Sequence, residues 1–102
     1  MARFDVYKFN TSAVPLVLEV QADLLSELGT CVVIPLIPET KAKQETLPKL
    51  KPAITIKGKN YILMTTDIGT VTRSSLGDVT SNVEDDYRQI VTEALDFLFQ
   101  GF

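Results

Sequence analysis

The chain has no histidine and no tryptophan, a single cysteine, and nowhere the run of ~20 apolar residues that a membrane helix needs. Each absence narrows what 102 residues can do. Without histidine, the commonest general acid–base group at neutral pH is missing. The lone Cys31 has no intramolecular disulfide partner and no nearby thiol or imidazole with which to hold a metal. Its setting, TCVVIPLI, suits a small buried hydrophobe better than a reactive thiol. Arg3 and Asp5 interrupt the opening residues, so no secretory leader is read there and a cytoplasmic protein is expected. No motif implies a cofactor, and no internal repeat is visible.

What is present fits one soluble domain over residues 1–102. Hydrophobic residues make up 45% and charged residues 23%, ordinary values for a globular chain with a single core. A net charge of −3 argues against indiscriminate binding to nucleic acid. The charge is unevenly spread. Residues 41–59 carry Lys41, Lys43, Lys49, Lys51, Lys57 and Lys59 against Glu45, whereas the last twenty residues carry five acids against Arg88 alone. Solvated surface is the plain reading of both, and docking surface the sharper one.

Those last twenty residues, 83–102, organise the chain. On a helical repeat, Val83, Tyr87, Ile90, Val91, Ala94, Leu95 and Leu98 share an apolar arc, with Phe97 and Phe99 at its margins. Ser81 and Glu84 have capping-box spacing, with Asn82 as a rival cap. Glu84, Asp85 and Asp86 suit the positive end of the helix dipole.

Ahead of the helix the pattern is short strands. Residues 3–9 alternate, and 16–21 form a β-branched partner, so the two read as an antiparallel hairpin. Residues 22–28 fit either a helical turn or a short twisted strand. Residues 30–37 are the most apolar run and read as a central strand, with Pro35 marking a bulge or an edge. Residues 38–52 read as a long exposed loop with at most one helical turn. Strands at 53–57, 61–66 and 70–73 follow, with turns at 58–60 and 67–69, and 74–81 reads as polar loop. A mainly β, α+β domain results, its small sheet or partly open barrel buried on one face under the terminal helix.

Several segments resemble the CcdB family, the toxin half of bacterial toxin–antitoxin pairs. They are Phe4-x-Val6-Tyr7, Val20-Gln21-x-Asp23-Leu24-Leu25, Val33-Ile34-Pro35-Leu36, Met64-Thr65-Thr66-Asp67, and Ala94-Leu95-Asp96-Phe97-Leu98-Phe99 running to Gly101-Phe102. Their order and spacing carry the resemblance over essentially the whole chain. It implies an SH3-like β-barrel with a small additional sheet and a long C-terminal helix, assembled as a homodimer. It also implies a non-enzymatic poison that binds the DNA gyrase A subunit and traps cleaved DNA. The cognate antitoxin, disordered in part when free, would neutralise it, and operator DNA would be reached only through that antitoxin.

Carried over residue by residue, the gyrase-binding positions implied are Leu24, Leu25, Asp96, Gln100, Gly101 and Phe102. Asp96 replaces an uncharged amide of the family pattern, and Gln100 replaces a tryptophan. Phe97, Leu98 and Phe99 are implied to pack the helix and the dimer. Loop length and lysine excess place antitoxin contacts at Asn10, Thr11, Val14, Lys41 and Lys43. Two alternatives stand beside this reading. Gln100 motivates a non-poisoning homologue that serves as antitoxin decoy or co-repressor. A related toxin family of the same fold cleaves RNA, and Arg73, Ser74, Ser75 and Asp67 are the residues from which such a site would have to be built.

Overall fold

The computed structural model describes residues 2–9, 13–25, 27–42 and 47–101. Seven strands form one antiparallel sheet: β1 (Asp5–Lys8), β2 (Leu16–Glu19), β3 (Thr30–Pro38), β4 (Ala53–Ile56), β5 (Lys59–Leu63), β6 (Gly69–Thr72) and β7 (Val79–Asn82). The helix α1 (Glu84–Gln100) follows. The strand order is β4-β5-β3-β2-β1-β7, with β6 also on β3. The sheet curls into a half-barrel and α1 closes its concave side, the architecture expected. The small second sheet is not separate: the β4–β5 hairpin stays paired to the end of β3 through Leu36, Ile37 and Pro38.

β3 spans the whole sheet because its Thr30–Pro38 run has two partners in succession on one side. Residues 30–33 pair with β6 and 36–38 with β5. Pro35 falls at the changeover, where a missing N–H costs least. The β4–β5 turn is Lys57-Gly58 rather than residues 58–60. Both residues have positive φ, 51° and 81°, the two-residue geometry whose twist matches the flanking strands, so Lys59 and Asn60 are free to open β5.

Beneath α1 the core is apolar: Val6, Leu16, Leu18, Ile34, Leu36, Ile54, Ile56 and Leu63 from the sheet meet Val83, Val91 and Ala94. Phe4, also in this core, has φ 71°. That conformation is held at both ends, by its N–H on the Glu19 carbonyl (2.8 Å) and its carbonyl on the Val83 N–H (3.0 Å).

The start of α1 departs from the capping-box reading. Asn82 Oδ1 accepts from the Glu84 N–H at 3.0 Å, while Ser81 Oγ is buried without a hydrogen-bond partner. Asn82 itself belongs to β7, a strand inside what reads as polar loop. Val79, Ser81 and Asn82 pair with β1, and their polar character reflects an edge position. At its other end α1 stops at Gly101, whose φ of 80° lets its N–H close on the Phe97 carbonyl (2.9 Å).

Candidate partner-binding surfaces

The segment between β2 and β3 folds as a 3-10 turn, Asp23–Leu25, which settles its helical-turn alternative. Too short to bury a face, it leaves Leu24 93%, Leu25 44% and Leu28 50% exposed. Groups from outside pin it. The Arg3 backbone N–H donates to Asp23 Oδ1 (2.5 Å) and Gln21 Nε2 to the Leu25 carbonyl (3.0 Å). Arg73 Nε reaches the Leu28 carbonyl at 2.9 Å. Full burial of one leucine is worth about 1.5–3 kcal/mol, so three leucines left in water mark a surface that a partner can exploit.

The second implied cluster lies at the end of α1. Asp96, Gln100 and Gly101 are all exposed, and Phe102 lies outside the described residues. Phe99, at the margin of the apolar arc, is 72% exposed on the single chain and packs α1 little against its own sheet, whereas Phe97 is half-buried with the Lys49 ammonium 5.8 Å from its ring. The leucine turn and the helix end stand on separate elements, with no hydrogen bond or ion pair between them among the described residues. The acidic face of α1 reads as solvated surface, where Arg88 pairs with Glu84 at 2.8 Å and Gln89 with Glu93 at 3.1 Å.

Of the implied antitoxin contacts, Asn10, Thr11 and Lys43 lie outside the described residues. Val14 is half-buried against Tyr7, Val17, Cys31 and Val33, the cluster on the convex side of the sheet. Lys41 is exposed and lines a cleft of about 520 Å³ with Pro15, Pro38, Glu39, Lys59 and Tyr61. A second cleft of about 300 Å³ shares Lys59 and Tyr61 and adds Lys8, Leu16, Ile56 and Lys57. Together they run along the seam where the β4–β5 hairpin faces β1. The walls are mostly apolar, and four lysines stand around them against Glu39 alone.

The convex cluster encloses a buried charge pair. Glu19 is fully buried; Tyr7 Oη donates to its Oε1 at 2.9 Å, and Arg73 Nη2 lies 3.3 Å from its Oε2. Burial, then the hydrogen bond to Glu19, pushes the Tyr7 phenol well above its ordinary range. Burial and the same carboxylate push the Cys31 thiol up to about 11. The hydrogen bond to Glu19 further raises the Arg73 guanidinium.

This arrangement bears on the nuclease alternative. Arg73 turns inward, Ser74 Oγ bonds Thr72 Oγ1 (3.3 Å), Ser75 Oγ bonds the Thr72 carbonyl (2.6 Å), and Asp67 stands on the separate turn Thr65–Asp67. These four residues do not converge on a common point. No group of potential metal ligands occurs among the described residues, and no helix is long and apolar enough to cross a membrane.

A curled antiparallel sheet closed by a terminal helix, with an exposed apolar turn and a basic seam, defines a small α+β domain. The family comparison makes this specific: the model of the CcdB protein matches residues 3–101, and the chain belongs to the CcdB family of toxin–antitoxin toxins. Two solved structures share the fold. One is an endoribonuclease in complex with its cognate antitoxin, from Mycobacterial species, with TM-score 0.74, 19% identity, and coverage of 94% of this chain and 91% of that one. The other is an endoribonuclease from Mycobacterial species, with TM-score 0.71, 18% identity, and coverage of 94% and 88%. At these identities the likeness shows the fold alone. No curated protein matches the sequence.

Proposed function

We propose that this chain is a gyrase-directed toxin: a homodimer that binds the DNA gyrase A subunit, traps the cleaved-DNA complex, and is neutralised by an antitoxin with which it represses its own operon. The observation that carries the reading is the anchored turn presenting Leu24 and Leu25 to solvent. A rigid apolar projection suits a preformed protein pocket, and its burial supplies affinity without new ordering. Asp96, Gln100, Gly101 and Phe102 complete the proposed contact, and exposed Phe99 joins them as the aromatic anchor that Gln100 cannot be. On this reading the protein inhibits a topoisomerase and is not itself an enzyme, which accords with the inward-facing Arg73.

The basic seam is the proposed antitoxin seat. Apolar walls rimmed by Lys8, Lys41, Lys57 and Lys59 suit a chain that alternates apolar anchors with carboxylates. Val14 precedes Pro15 of the seam, and Asn10 and Thr11, close to it in sequence, are proposed as further contacts. An antitoxin segment that folds only on binding needs such apolar docking to offset its ordering.

A DNA-cleavage assay with gyrase tests the proposal. Wild type should trap cleaved DNA, Leu24→Asp and deletion of Gly101 and Phe102 should each lose about tenfold or more in potency, and Gln100→Trp should gain. In the same assay, antitoxin should release gyrase from wild type but poorly from the Lys57→Glu, Lys59→Glu double variant. A wild type that binds antitoxin yet traps nothing would replace this reading with the decoy and co-repressor one. Cleavage of RNA by wild type would replace it with a nuclease.

A further inference from the structure

The leucine turn has little buried surface of its own, so its shape must come from elsewhere. Its exit is fixed by one residue that follows the neighbouring strand, β6, which pairs with the start of β3. Arg73 Nε donates to the Leu28 carbonyl at 2.9 Å, and the Arg73 backbone N–H donates to the Gly29 carbonyl, also at 2.9 Å. The other arm of the guanidinium, Nη2, points inward to Glu19 Oε2 at 3.3 Å. Glu19 cannot swing away because its side chain is fully enclosed; Tyr7 Oη donates separately to its second oxygen at 2.9 Å. The buried carboxylate therefore aims the guanidinium, and the guanidinium places the turn.

We infer that Arg73, aimed by Glu19, is a positioning residue that presets the leucine turn for its partner; the inference rests on the reading of Leu24 and Leu25 as gyrase contacts. A planar guanidinium can hold a carboxylate with one arm and a carbonyl with another, in fixed relation. The ammonium of a lysine satisfies the charge of Glu19 but supplies no such fixed geometry. A preset turn reaches the partner already ordered, so less of the apolar gain is spent on fixing the loop.

Three variants of the full chain separate positioning from plain stability. Arg73→Lys and Arg73→Gln remove the two-armed contact. Tyr7→Phe removes a hydrogen bond to Glu19 without touching the turn. Leucine methyl NMR of the free protein reads the turn directly, and affinity for the gyrase A subunit reads its use. Both Arg73 variants should shift and broaden the Leu24, Leu25 and Leu28 methyl signals while those of buried Leu18, Leu36 and Leu63 hold. Gyrase affinity should fall about tenfold with them. Tyr7→Phe should lower stability and leave the turn signals and affinity as they were. Unchanged turn signals in Arg73→Lys, or equal shifts in Tyr7→Phe, would overturn the inference. If wild type fails to bind gyrase, the gyrase reading falls, and the methyl signals still decide whether Arg73 sets the turn.

Discussion

The two sides of the sheet are held together by different physics. On the concave side, the residues that meet α1 form a large apolar cluster. On the convex side, Tyr7, Val17, Cys31 and Val33 surround a fully buried carboxylate and its arginine. The concave side gains stability by area removed from water, a term insensitive to pH and nearly indifferent to which apolar residue supplies it. On the convex side, a charge pair offsets its own desolvation only while every partner is in place. The leucine turn is tied to this second, more exacting side, so stability and the shape of that exposed turn share one set of atoms there.

The largest effect is expected on the concave side. Leu36 is fully buried where β3 meets both β2 and β5. Leu36→Ala should cost about 3 kcal/mol of unfolding free energy in urea, from lost transfer energy and the cavity left behind. Its pH dependence should match that of wild type. A loss under about 1 kcal/mol would mean that the helix-covered side is not the principal core.

The convex side should show itself in alkali. Both Cys31 and Tyr7 are held protonated in the fold beyond their ordinary ranges. As pH rises, the unfolded chain releases these protons first, so the native state binds more protons and loses stability. That stability is complete below pH 9, the ordinary thiol value, and declines towards pH 11, where the folded thiol itself titrates. Cys31 alone should contribute a loss of about 2 kcal/mol by then. Urea unfolding at pH 8 and pH 11 checks this, with Cys31→Ala expected to show the smaller drop. Equal drops in the two proteins would remove the thiol from the account.

The same division decides what was legible in the sequence. Alternation in β1 and β2, the apolar run of β3 and the helical arc of α1 all report the concave side, because hydrophobic burial leaves a period in the chain. The Glu19–Arg73 pair leaves none. Its members stand fifty-four positions apart, and a glutamate in a strand reads as solvent-facing until topology brings an arginine to it. β7 escaped for a related reason: its VTSN sequence is polar and gains its strand character from pairing with β1. Leu24 and Leu25 were legible only through the family resemblance, since an exposed leucine and a buried one look alike in sequence.

The smallest effect expected lies where the two sides join. Asn82 ends β7 on the edge of the sheet and precedes the first turn of α1. Its Oδ1 accepts from the Glu84 N–H at 3.0 Å, while its Nδ2 donates to the Arg3 carbonyl at 3.1 Å and to Asp5 Oδ1 at 2.9 Å. Were the bond to the Glu84 N–H its only role, Asn82→Asp would be neutral, because an aspartate oxygen accepts that N–H equally and suits the helix dipole better. Aspartate, however, has no N–H for Arg3 and would set a second carboxylate against buried Asp5. Asn82→Ala should therefore cost about 1 kcal/mol, and Asn82→Asp at neutral pH at least as much. An Asn82→Asp protein as stable as wild type at pH 7 would leave Asn82 with the bond to the Glu84 N–H alone, and the bracket between β1 and α1 would have to rest on the Phe4 backbone.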